Sequence, residues 1–88
     1  MSDDATTVAP RAAAVLEHIV KSVVGDPDAV SIATEHKGDN HIELVVSVGE
    51  GDMGRVIGRR GRIANAIRTL VKAAGTADDM TVDVEFAD

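Results

Sequence analysis

Two glycines, Gly58 and Gly61, interrupt what is otherwise one helical run, and that break does most to limit the folds open to this chain. Upstream, Met53 to about Ile57 is a short helical stretch that Asp52 is placed to cap. Downstream, Arg62 to about Ala74 continues at helical period, with Ile63, Ala66, Ile67, Leu70, Val71 and Ala74 on its expected buried face. Arg62, Asn65, Thr69 and Lys72 fall roughly opposite, with Arg68 on the flank, and Gly75 is expected to stop the helix. Glycine takes backbone angles that a side chain forbids and lets a ligand approach closely. The spacing therefore predicts helix, tight loop, helix.

The flanking segments fill in the order of elements. Val8 to Val24 carries Ala12, Val15, Leu16, Ile19, Val20 and Val23 at the spacing of one helical face, with Thr6 or Thr7 to cap it, Pro10 in the first turn, and Gly25 and Pro27 to end it. Two strands follow: Val30, Ile32 and Thr34 alternate, then Ile42, Leu44, Val46 and Val48 alternate more strongly. Lys37-Gly38-Asp39-Asn40 between them has hairpin-turn chemistry, so the pair should be antiparallel. Met80, Val82, Val84 and Phe86 alternate in a third strand, which the two-helix crossover should bring parallel to the second. The expected fold is α+β, in the order α-β-β-α-α-β, with a three-stranded mixed sheet and helices on one face. Residues 8–88 should form a single domain, and the acidic, polar residues 1–7 should be disordered.

Composition narrows the chemistry. In 88 residues, 44 % hydrophobic but with Phe86 as the one aromatic, the core must be aliphatic, and there is room for one domain. The chain contains no Cys, which excludes disulfides, thiolate metal sites and a cysteine nucleophile. Neither the polar start nor any apolar stretch matches a secretory signal or a membrane span, so a soluble cytoplasmic protein without membrane contact is expected. Net charge is −6, but it is unevenly spread. Arg55, Arg59, Arg60, Arg62, Arg68 and Lys72 lie in the stretch from Met53 to Ala77, which has no acid, while the rest of the chain carries three basic and fifteen acidic residues. A polyanion responds to the local field, so a basic strip on an acidic body can still hold one.

The informative segment is Val56-Ile57-Gly58-Arg59-Arg60-Gly61-Arg62-Ile63. A helix N-terminus presents unpaired N–H groups and the positive end of its dipole, a natural seat for phosphate. Arg59, Arg60 and Arg62 add cationic donors around the same point. On these residues alone, phosphate capture and a plain tight turn between two helices fit equally well.

The stretch from Gly54 to Gly75, GRVIGRRGRIANAIRTLVKAAG, resembles the signature of a KH domain, with its I-G-x-x-G loop between two helices. The element order is similar to the type II, or prokaryotic, arrangement. Small size, a first helix ending near Asp26-Pro27-Asp28, and Met53-Gly54 entering the loop resemble the KhpA family of small single-domain bacterial RNA-binding proteins, over roughly residues 8 to 86. The resemblance implies a groove that clamps about four nucleotides of single strand, with the loop against the backbone. Carried onto this chain, Gly58, Arg59, Arg60 and Gly61 would meet phosphates, and Ile57 and Ile63 would line the groove. Val45 or neighbouring strand residues would contribute to its floor, and Arg55, Arg62, Arg68 and Lys72 would extend the positive rim. It also implies an RNA chaperone or post-transcriptional regulator linked to envelope growth or cell shape, working as a homodimer or beside a larger KH-containing protein.

Other chemistries find less support. Gly49-Glu50-Gly51-Asp52-Met53-Gly54 matches a dinucleotide-binding pattern, but the acid that should follow about 20 positions on is missing, and Glu50 and Asp52 would repel a pyrophosphate. His36 and His41 flank the hairpin turn near Glu35 and Glu43, a setting better explained by a solvated hairpin end than by a metal. No catalytic arrangement, cofactor or small-molecule substrate is indicated. Two rivals remain: a helix-turn-helix-like binder of duplex DNA with Arg62 to Lys72 as recognition helix, and a protein-interaction module that binds no nucleic acid.

Overall fold

The computed structural model describes residues 8–87, the side chain of Arg59 excepted. Helix α1 is Pro10–Val23, strand β1 is Ser31–Gly38, strand β2 is His41–Ser47, helix α2 is Met53–Ile57, helix α3 is Arg62–Ala77 and strand β3 is Thr81–Ala87. This is the expected α-β-β-α-α-β order, with element ends shifted by at most four residues. The sheet runs β1-β2-β3, antiparallel between β1 and β2 and parallel between β2 and β3.

Alternation decides which way each strand faces. Ile32, Ile42, Leu44, Val46, Val82 and Val84 point to the helices and form one aliphatic core with Ala12, Leu16, Val20, Val56, Ile67 and Val71. The alternate residues leave the other face of the sheet open. There Glu35 pairs with Glu43, and Glu43 with Asp83, so three carboxylates stand side by side across the strands. Lys37 answers them, with Nζ 3.3 Å from Glu35 and 3.9 Å from Glu43, and the Glu35 hydrogen bond raises its pKa. Desolvation, reinforced by Glu85, pushes the Glu43 carboxyl up against the opposing pull of Lys37.

Several local expectations are corrected by tertiary contacts. Thr6 and Thr7, expected to cap α1, lie outside the described residues; the N-cap is Ala9, which makes no side-chain cap. The Arg11 N–H instead donates to the Asp78 carboxylate at 3.0 Å, from beyond the end of α3. Asp52 sits at the N-cap of α2 but caps nothing there. Its buried carboxylate (7 % exposed) accepts from the N–H groups of Gly25 and Asp26 at 3.0 and 3.1 Å, tying the end of α1 to the start of α2.

Helix α3 departs most from expectation. Its buried residues are Ala64, Ile67, Val71 and Gly75, while Ala66, Ile63 (36 % exposed) and Leu70 (52 % exposed) stay outside. The period is as expected and the phase is rotated, because this helix meets β3 closely and needs small residues there. A Cβ on Gly75 would lie 2.6 Å from Val82 Cγ2. Gly75 accordingly does not stop the helix, which continues to Ala77 and ends at Asp78 and Asp79, the latter with φ 58°.

Candidate nucleic-acid interface

Helix α2 stops at Gly58, whose φ of 66° and ψ of −167° lie where only glycine is at ease. A Cβ there would also fall 2.4 Å from Ile63, so the Ile63 side chain packs across the space that glycine leaves free. Arg60 is left-handed at φ 56°, ψ 31°, and Gly61 follows at φ 78°, ψ 8° with open space around it. Three of the four loop residues thus have positive φ, which turns the chain sharply between α2 and α3. Gly61 is the N-cap of α3, and no side chain caps the helix. Its first-turn N–H groups have no competing side-chain acceptor, as a phosphate seat requires.

The expected cations spread outward from this point. Arg60 and Arg62 are exposed at the loop and the start of α3. Arg55 is exposed on α2, with Nε 3.5 Å from Asp52. Ile57 (40 % exposed) and Ile63 flank the loop as uncovered apolar side chains. The backbone of Arg59 belongs to the loop's helical turn, and its side chain lies outside what is described.

Arg68 and Lys72 lie further along α3, where a groove opens between this helix and β3. Asn65, Arg68, Thr69 and Lys72 form its helical wall, Val82 and Val84 its strand side, and Glu43 and Asp83 its far rim. Val45 is not part of it. That residue pairs with Ala33 and Glu85 in central strand β2 and alternates out to the open face, so the expected floor passes to edge strand β3. Arg68 is anchored as well as exposed: Nε donates to the Val84 carbonyl at 3.2 Å and a terminal nitrogen to Asn65 Oδ1 at 3.1 Å. Its guanidinium carbon lies over the Phe86 ring, 5.2 Å from the centroid. The Phe86 ring is half-buried against the core and also backs the groove. Strand pairing across a long connection made this contact, and no local spacing announces it.

The description KhpA/KhpB, KH domain, belongs to a family model that matches residues 13–86, most of the chain. The chain belongs to this KH-domain family. It is 48 % identical over 72 residues to the RNA-binding protein KhpA of Clostridium acetobutylicum, covering 82 % of this chain and 95 % of that one. With the protein of the same name from Listeria monocytogenes, it is 47 % identical over 68 residues (77 % and 88 % of the two chains). For the Streptomyces coelicolor protein of that name the figure is 47 % over 60 residues, or 68 % and 75 %. No solved structure matches.

Membership of the KhpA/KhpB KH family makes the chain a binding module rather than an enzyme, and the matched segment contains both the loop and the groove. The α+β frame also separates it from a helix-turn-helix protein, since α2 has only five residues and a sheet supports both helices. Among the described residues, no group of three or more His, Cys, Asp or Glu could hold a metal ion, and no helix is long and apolar enough to cross a membrane. His41 is instead engaged with Asp83, at 2.6 Å.

Proposed function

We propose that this chain holds single-stranded RNA, seating backbone phosphate on the Gly58–Gly61 loop at the start of α3 and turning bases into the groove beside β3. One observation carries the reading: a positive-φ loop opens an uncapped helix N-terminus inside a strip with six basic residues and no acid. Relatives named as RNA-binding proteins support the choice of polyanion. The biological role is that of an RNA chaperone or post-transcriptional regulator in the cytoplasm.

A single small module with few phosphate contacts binds weakly and gains from pairing. Ile63 and Leu70, seven residues apart on one flank of α3, and Ile57 at the end of α2 are large apolar side chains left exposed, which supports a homodimer. A KhpB-type, larger KH-containing protein is the alternative occupant.

Fluorescence-polarisation titration of a labelled single-stranded RNA tests the site. The Arg59→Asp, Arg60→Asp double variant should lose at least about tenfold in affinity with its unfolding midpoint nearly unchanged, because charge reversal at an exposed loop acts on the ligand. Wild-type affinity in that variant would remove the loop from the interface. A duplex DNA of equal length should bind more weakly than the RNA.

A further inference from the structure

The chain has one Phe and no Tyr or Trp, and the structure places that phenyl ring behind an arginine in the groove. Arg68 is the only cation among the described residues found over it. Two hydrogen bonds, to the Val84 carbonyl and to Asn65 Oδ1, hold the guanidinium to the strand edge and to its own helix. A planar group anchored through its N–H edges has a fixed plane. The guanidinium carbon sits over the Phe86 ring, 5.2 Å from its centroid, while Arg68 remains exposed and lines the groove.

We propose that the outward face of the Arg68 guanidinium is a nucleobase-stacking platform, with Phe86 as its backing. Bases unstacked from single strands settle on guanidinium planes as well as on aromatic rings, and purines offer the larger surface. Position agrees with this role. Arg68 lies about 10 Å along the helix axis from Gly61, within reach of a strand whose phosphate sits at the loop. The inference rests on the RNA reading above but concerns the bases, whereas the loop concerns the backbone.

Two probes of equal length and charge separate the two: an adenylate octamer and an abasic ribose-phosphate octamer, each titrated by fluorescence polarisation. Wild type should prefer the adenylate octamer. Arg68→Lys keeps the charge and loses the plane, so the ratio of the two affinities should fall by about tenfold. Phe86→Leu should lower the ratio less, in the same direction. The loop double variant should weaken both probes and leave the ratio as it was. In wild type carrying 13C-labelled phenylalanine, the lone ring's resonances should shift with the adenylate octamer and stay put with the abasic one. That measurement decides the matter even if Arg68→Lys fails to fold.

An unchanged ratio in folded Arg68→Lys, no wild-type preference for bases, or an unmoved ring resonance would overturn the platform while leaving phosphate capture standing. If the loop variant binds like wild type but Arg68→Lys lowers the ratio, the phosphate seat is elsewhere and the platform holds. Failure of wild type to bind either probe would overturn both.

Discussion

At Arg60 a bulky side chain occupies the left-handed region, between two glycines that occupy it or its neighbourhood more cheaply. The conformation persists because its neighbours leave no alternative: Ile63 fills the space over Gly58, and Gly61 must open α3. The two glycines differ in what they tolerate. At Gly58 a methyl group meets both a glycine-only backbone region and the Ile63 side chain, whereas at Gly61 it meets only the backbone penalty. Gly58→Ala should therefore destabilise by about 2–3 kcal/mol and Gly61→Ala by about 1 kcal/mol, read from urea unfolding midpoints. Equal effects would mean that Ile63 moves aside without cost. Gly58→Ala should also weaken RNA binding more, because it displaces the loop that α3 presents.

At the scale of elements, α3 is held by its small residues. Alanine is better than glycine inside a helix by about 1 kcal/mol, so Gly75→Ala would stabilise an isolated helix. Here the new methyl group would press on Val82 Cγ2 at 2.6 Å and on the Met80 carbonyl oxygen at 3.1 Å. The expected outcome is a net loss of about 1 kcal/mol or more, seen as a lower midpoint of thermal unfolding. The opposite flank of the same helix makes the opposite prediction. Leu70 is half-exposed, so Leu70→Glu should change monomer stability by no more than about 0.5 kcal/mol. Sedimentation should nonetheless show it shifting the protein toward monomer, if the exposed apolar side chains join two copies.

Across the whole molecule, charge is unevenly spread: the stretch from α2 through α3 carries six basic residues and no acid, while the sheet carries the Glu35–Glu43–Asp83 row, whose last two members reach the groove's far rim. The asymmetry lets a chain of net charge −6 approach a polyanion in one orientation. RNA affinity should fall steeply from low to physiological salt; a flat titration would count against phosphate capture. The crowded sheet face has a consequence for pH. Because the folded state raises the Glu43 pKa above its ordinary 4.5, the fold retains that proton when the unfolded chain has released it. Its contribution to stability is then lost as pH rises from about 4.5 through the raised value. Glu43→Gln should flatten this part of the stability–pH curve, measured by urea unfolding at a series of pH values.

By itself the sequence determined the elements, their order, the strand faces and the loop, because each rests on local rules: the period of apolar residues, turn chemistry at the hairpin, and glycine where the backbone turns. It also determined the charge asymmetry, which composition along the chain displays directly. Only the tertiary structure decided the phase of α3, since Leu70 and Ile67 are equally apolar and only the approach of β3, through Gly75 and Val82, selects between them. It likewise gave Asp52 to the end of α1 instead of to its own helix, and passed the groove's floor from Val45 to Val82 and Val84. Arg68 met Phe86 for the same reason. Eighteen residues apart, they touch because a parallel strand returns beside the helix, and contacts across such a return carry no signal in the spacing of residues along the chain.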